Sequence, residues 1–481
     1  MIKKLFEKYK SLSYGAKAGL WFTFCNLIQK GISFITMPIF TRIMTKSDYG
    51  IYNTYLSWYN FIFIFASLNL SYYVFSKGMV KYIDDRDGFV SSLQSLSTMS
   101  TFLVIILYIL FRDFANAFFG MSTNLMICML VQMMFEPSIA YWTARKRFEY
   151  DSVKVLIVTT LISILNPVLG VVMVLCSKHN DVLARAGSSS IVYFVFGFAL
   201  YILIQKKGKK LVNTKYWKYA LAFNLPLIPH FLSSIILSHA DRVMITRLSI
   251  TDDTALYSVA YSLGMVTLLF SQAIQQALLP WQYTKLKNKD YNNIQSIPSI
   301  TMIIVMVINI LFIAFAPEIM YIVAPASYSE AIWAIPPVCC SVFFMYLFNL
   351  FANIEYYFEE SRYVAVASIL AALLNIVLNY IFIPIFGYVA AGYTTLCCYI
   401  LLAISHYFCM RLICKKKEFY EEPYNIKCVI MVSIALLALM ILLISFYKSM
   451  IVRYTIIIVI LFAGIMNRNR IMDTMRLIGK R

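Results

Sequence analysis

Stretches of about 20 apolar residues recur along almost the whole chain, separated by short hydrophilic links. A run of that length is about the number of residues a helix needs to cross the hydrocarbon core of a bilayer. Inside lipid the backbone polar groups must be satisfied within the segment, and repeated apolar runs do so as helices. Apolar residues make up 61% of the 481-residue chain and charged residues only 14%. Mean hydropathy is +0.73. No soluble core could hide that much apolar surface, so the expected fold is an all-α polytopic membrane protein. No hydrophilic link exceeds roughly 20 residues, which leaves no room for an extramembrane catalytic domain.

The net charge of +19 does not point to nucleic acid. The Lys and Arg residues sit in the links, where retention on the cytoplasmic side places them. Ten cysteines lie mostly within apolar runs, where they act as small packing residues. They form no CxxC pair and no zinc pattern. The basic start, Met1 to Lys10, reads as a cytoplasmic amphipathic lead-in before a retained first span.

Fourteen spans are expected, at about 16–41, 50–71, 89–111, 115–143, 153–176, 186–205, 217–240, 254–277, 298–317, 331–354, 363–383, 388–410, 427–447 and 450–466. Basic residues crowd alternate links, including Arg145-Lys146-Arg147, Lys206 to Lys218 and Lys415-Lys416-Lys417. That asymmetry places both termini in the cytoplasm. Asp84-Asp85-Arg86-Asp87 reads as a solvated cytoplasmic turn. No phosphate-binding loop is present, so ATP hydrolysis is not the drive.

The end of span one, Thr41-Arg42 through Asp48 to Ile51-Tyr52, recurs at the end of span seven as Thr246-Arg247 through Asp253 to Leu256-Tyr257. An even number of spans separates the copies, so the repeats are parallel and related by an axis along the membrane normal. The expected organisation is a lead-in (1–14), an N-lobe (15–211), a C-lobe (212–415) and two further helices with a basic end (416–481). Two six-helix lobes about a cleft are transporter architecture.

Several stretches resemble bacterial polysaccharide flippases of the multidrug/oligosaccharidyl-lipid/polysaccharide exporter superfamily. They are Met37-Pro-Ile-Phe-Thr-Arg-Ile-Met-Thr-Lys-Ser-Asp-Tyr-Gly-Ile-Tyr52, Asp241-Arg242-Val-Met-Ile245 and Ala255-Leu-Tyr-Ser-Val-Ala-Tyr-Ser262. Asn375-Ile-Val-Leu-Asn379, Ile383-Pro-Ile-Phe-Gly387 and Ala390-Ala-Gly-Tyr-Thr-Thr395 continue the likeness, which spans about residues 15–410. The resemblance implies movement of undecaprenyl-pyrophosphate-linked oligosaccharide across the bacterial cytoplasmic membrane by alternating access. It implies no cofactor, and a drive from an Na⁺ or H⁺ gradient or from downstream consumption of the glycan. A polysaccharide polymerase and glycosyltransferases are the implied partners. An ion-coupled drug exporter of the same superfamily is the alternative; a membrane glycan polymerase or ligase needs a large outer loop that this chain lacks.

A polyanionic headgroup needs cations at membrane depth and hydrogen-bonding groups around them. Lys30 lies 13 residues past Lys17, roughly 20 Å along a helix and near mid-membrane. Asn26 and Gln29 stand beside it. Lys30 is the expected pyrophosphate contact, with a structural pair to Glu136 as the other reading. Arg42, Arg242 and Arg247 are secondary cation candidates at span ends; Gln272, Gln276 and Asn353 are glycan candidates. Glu136, Asp241 and His239 are the candidates for ion coupling. Asn375 and Asn379 share a helix face and read as interhelical glue. Asn224-Leu-Pro-Leu-Ile-Pro-His230 puts two prolines inside span seven and predicts a bent helix.

Overall fold

The computed structural model describes residues 14–178, 180–291, 294–419, 421–469 and 472. Among them every regular element is helical. In chain order the α-helices are α1 (Tyr14–Ile43), α2 (Lys46–Ser67), α3 (Tyr73–Lys81), α4 (Arg86–Leu110), α5 (Arg112–Phe119), α6 (Thr123–Phe148), α7 (Ser152–Cys176), α8 (Asp181–Gly208), α9 (Thr214–Asn224) and α10 (Ile228–Leu248). They continue as α11 (Thr251–Gly264), α12 (Val266–Lys287), α13 (Ser296–Ala314), α14 (Ala316–Val323), α15 (Ile335–Tyr357), α16 (Ser361–Phe386), α17 (Tyr388–Lys416), α18 (Ile426–Ser445) and α19 (Met450–Met466).

Eleven helical segments among the described residues are long and apolar enough to cross a membrane. The chain is a multi-pass membrane protein. The 30-residue α1, the 22-residue α2 and the shorter apolar α19 supply the rest of the fourteen expected segments. Polar caps start many of these helices. Thr45 accepts from the Asp48 amide and donates to its carboxylate at 2.7 Å. Ser122, Asn180, Asn213 and Asn425 cap α6, α8, α9 and α18. Each cap satisfies amides that the first helical turn leaves without partners.

The chain divides into two compact units, Met1–Leu232 and Ser233–Arg481. The division falls later than the lobe linker read from the sequence, because α9 belongs to the first unit. Trp217 donates to the Ser92 carbonyl at 2.9 Å, and Asn224 donates to the Leu68 carbonyl. Asp85 is not simply a solvated turn residue. It accepts from Lys210 and from Tyr216, both at 2.5 Å, and so ties down the lysine-rich link. The two prolines act as expected: a 3₁₀ turn at Leu225–Leu227 separates α9 from α10.

In the first unit α6 and α8 pack tightly. Gly197 permits this, since a Cβ there would lie 2.4 Å from the Phe135 carbonyl oxygen. Ser190 donates across the pair to the Cys128 carbonyl at 2.7 Å. On α4, Ser97 bonds Tyr141 at 2.6 Å and Gln94 bonds Ser138 at 2.8 Å. Such bonds hold helices together where lipid supplies no hydrophobic drive between them. α1 packs mainly on α7.

In the second unit α15 is the centre. It is buried along nearly its whole length and packs against α17. The final helices α18 and α19 both pack on α13. Arg453 of α19, 2% exposed, donates to Glu318 at 2.6 Å and to the Ala314 carbonyl at 2.9 Å. Burial alone pushes the Glu318 carboxyl up, but the bonds from Arg453 and Tyr454 hold it below its usual range. Glu318→Ala is expected to cost about 1.5–3 kcal/mol, the worth of a charge-assisted bond, read as a lower melting temperature in detergent. The wild-type contribution is in place above the ordinary Glu pKa of about 4.3. It is lost as pH falls through the lower folded value.

Candidate functional site

Each unit carries its own deep polar cluster. In the second, Asp241 on α10 is fully buried. Tyr257 of α11 donates to its Oδ2, as does Thr395 of α17 at 2.9 Å. Asn379 of α16 donates to Oδ1 at 2.7 Å. Asn379 in turn bonds Asn375 at 3.2 Å and accepts from Thr394, and Asn375 donates to Thr395 at 3.1 Å. Three donors from three other helices thus surround one carboxylate. Among the described residues no basic side chain lies within ion-pair distance of it. Arg242, next in the chain, bonds Ser258 at 3.2 Å and the Ser238 carbonyl at 2.9 Å, and lies over the Tyr261 ring at 4.4 Å. A buried carboxylate held only by neutral donors is a place where a small monovalent cation or a proton can compensate the charge.

The first unit holds Glu136 on α6, just before Pro137. Tyr59 of α2 donates to it at 2.5 Å and Gln132 at 2.8 Å. Glu136 is therefore not paired with Lys30. Lys30 is exposed near the middle of α1 and has no ion-pair or hydrogen-bond partner among the described residues. Nearby, the Gln29 amide nitrogen is buried without a partner. The Asn26 side chain lies outside the described residues. Lys30 thus stands near the middle of its helix, and its alternative role as a partner of Glu136 is not what the described side chains form.

The remaining candidates scatter. Arg42 donates to the Pro38 carbonyl at 2.8 Å and, like Arg247, is exposed in the last turn of its helix. The two repeat copies share local structure: Thr-Arg ends a helix, a short break follows, and Tyr52 or Tyr257 is buried in the second turn of the next. Arg242 is 7% exposed and turned into the second unit, not presented at a surface. Asp241 is not at a span end, because α10 runs on to Leu248. Gln272 and Gln276 are exposed on α12, and His239 is half-buried. The Asn353 amide nitrogen is buried without a partner, while its carbonyl accepts from Tyr283 at 3.1 Å.

Two groups escaped the sequence reading. Arg185 on α8 donates through Nη1 to Asn166 and Ser189, both at 2.8 Å. His406 bonds Glu355 at 2.8 Å in a fully buried pair. Asn375 and Asn379, read as interhelical glue, do bond across helices, and those bonds run into the Asp241 network. The signal for Arg185 was a lone basic residue before the Ser188-Ser189-Ser190 run. Among the described residues no three His, Cys, Asp or Glu side chains cluster as a metal site.

Residues 16–284 match the family described as polysaccharide biosynthesis protein. The chain belongs to that family. A Haemophilus influenzae protein of the Lsg locus is 29% identical over 115 residues, which are 23% of this chain and 28% of that relative. The match thus spans under a third of the relative's length. Solved structures of similar fold include the lipid II flippase MurJ in an inward closed conformation, with TM-score 0.66 and 14% identity over 94% of this chain and 100% of that one. An inward-facing multidrug-resistance MATE transporter of the MOP superfamily gives 0.59 and 15% over 82% and 96%. A point mutant of the Vibrio cholerae MATE transporter VcmN gives 0.56 and 9% over 85% and 98%. This polysaccharide biosynthesis family member therefore has the fold of the MOP-superfamily transporters.

Proposed function

We propose that the protein is a transporter, not an enzyme, and that it flips undecaprenyl-pyrophosphate-linked oligosaccharide units across the bacterial cytoplasmic membrane by alternating access. The observation that carries the proposal is Lys30, an exposed cation halfway along a 30-residue helix, with no ion-pair or hydrogen-bond partner among the described residues. Such a charge is expensive at that depth, about 2.5–3.5 kcal/mol on insertion scales, and an anionic headgroup supplies the missing counter-charge. Membership of the polysaccharide biosynthesis family supports a glycan cargo. The Asp241 cluster is the coupling site for Na⁺ or H⁺ in this reading. Glycosyltransferases supply the lipid-linked unit and a polymerase consumes it.

A drug exporter is the second reading, favoured by the likeness to MATE transporters. Proteoliposomes separate the two. A fluorescent undecaprenyl-pyrophosphate oligosaccharide is expected to reach the opposite leaflet without ATP. Export of lipophilic cations with no glycolipid movement would establish the drug reading instead.

The orientation has its own test. Reporter fusions after Tyr216 and at the C-terminus are both expected to report cytoplasm, because the basic links gather on that side. An external signal from either fusion refutes the orientation.

A further inference from the structure

The first unit holds a second cation that the reading of Lys30 does not use. Arg185 lies in the second turn of α8. Its Nη1 donates to Asn166 and Ser189 at 2.8 Å and to Ser188 at 3.2 Å. Its guanidinium carbon lies 4.6 Å from the centre of the Phe40 ring and 5.1 Å from that of Tyr52. α7 comes up beneath it at Gly170. A Cβ there would stand 3.1 Å from both the Arg185 Cδ and Nη1, and 3.0 Å from the tip of Phe40. Three neutral acceptors, two ring faces and a missing side chain therefore fix the guanidinium in place.

What the site lacks is an anion. Asp181, one turn earlier on the same helix, makes no ion pair with Arg185, nor does any other described carboxylate. The Arg185 Nε is enclosed and has no hydrogen-bond acceptor among the described residues. Arg453, whose Nε is likewise buried without an acceptor among the described residues, has Glu318 beside it. A half-buried cation held only by neutral groups can take a counter-charge from a ligand, and a guanidinium's geometry suits phosphate oxygens.

We propose that Arg185 is a second anion-binding residue, which takes the pyrophosphate of the lipid-linked substrate after Lys30. The proposal rests on the lipid-linked reading above. Phe40, which packs on Arg185, follows Lys30 by ten residues on α1, about 15 Å along the helix axis. The two cations are thus separate stations on one unit. In the expected orientation Arg185 is the station nearer the outer leaflet.

The test uses the full-length protein in detergent, with calorimetric titration of undecaprenyl pyrophosphate and, separately, inorganic pyrophosphate. Asn166→Asp is the discriminating variant. It sets a carboxylate where the amide oxygen now lies, 2.8 Å from Nη1, and neutralises the cation from within. Asn166→Asp is expected to melt no lower than wild type yet to bind either ligand about ten- to a hundredfold more weakly, the worth of a charge-assisted bond. Arg185→Gln is expected to show a similar loss of affinity. Undiminished binding by Asn166→Asp overturns the proposal and leaves Arg185 a structural residue, even if Arg185→Gln fails to accumulate. Arg185-dependent binding of inorganic pyrophosphate, with no binding of the lipid, keeps the anion site and removes the lipid-linked substrate. A wild-type protein that binds neither ligand overturns both.

Discussion

Lys30→Ala is expected to abolish glycan export while leaving membrane abundance at the wild-type level. Lys30 is exposed and has no partner among the described residues. The carboxylate that could have been its mate, Glu136, is already held by Tyr59 at 2.5 Å and Gln132 at 2.8 Å. Removing the ammonium therefore strands no buried charge, and the usual penalty for breaking a buried pair does not arise. The loss falls on the substrate. Truncating one side of a desolvated charge pair costs about 2–5 kcal/mol of binding, roughly 30-fold or more in affinity. Lys30→Arg keeps the charge and is expected to keep part of the activity, since a moving anion needs no fixed bidentate geometry. The check is surface glycan measured against immunodetected protein in the same membranes. Normal abundance with normal export eliminates Lys30 as the headgroup contact.

All fourteen expected segments have helical counterparts, because an apolar run of about 20 residues has few other options in lipid. The short helices were not legible. α3 lies between two expected spans, and its buried face of Val74, Phe75 and Met79 is too brief to register as a period. α5 was merged with the span after it, although Gly120, at φ +65°, ends α5 before α6 begins. A membrane-length window averages over such breaks, and helices of eight or nine residues lose their identity in it.

The sites were legible in part, for a related reason. Asp241 stands out as a charge in an apolar run. Its partners do not, because Asn379 and Thr395 lie 138 and 154 residues away and amides are common between membrane helices. Arg185 was missed through a boundary. The expected span began at 186, whereas α8 begins at Asp181, so a residue inside a helix read as part of a link. The duplication hides a chemical divergence as well. Tyr52 and Tyr257 occupy matching positions, yet the first lies near a guanidinium and the second donates to a carboxylate. An identical residue in a repeat carries no information about the sign of the charge it serves.

Asp241→Asn is expected to uncouple transport from the ion gradient. The wild-type carboxylate accepts from Tyr257, Thr395 and Asn379 and has no cationic side chain within ion-pair distance among the described residues. The fold thus surrounds this carboxyl with neutral donors and no ion-pairing cation among the described residues. In the proposed coupling role a bound Na⁺ or proton would complete the cancellation, and release of that ion would restore the charge. Two such states of one buried group can bias a conformational equilibrium, since the ion has different affinities in each conformation. The amide has nearly the same shape but no charge to cancel. One of its two ends is a donor, which faces existing donors and costs about 1–3 kcal/mol locally. In proteoliposomes the wild type is expected to flip faster under an imposed Na⁺ or H⁺ gradient. Asp241→Asn is expected to flip at the same rate with and without it. Na⁺ dependence of the melting temperature distinguishes the ions, because a ligand that binds only the folded protein raises it by mass action. Wild-type stabilisation by Na⁺ that vanishes in Asp241→Asn identifies sodium. A proton leaves the melting temperature insensitive to Na⁺ and makes flipping depend on the pH difference alone. Full gradient stimulation surviving in Asp241→Asn would place the coupling elsewhere, with the Glu136–Tyr59 pair of the first unit next in line.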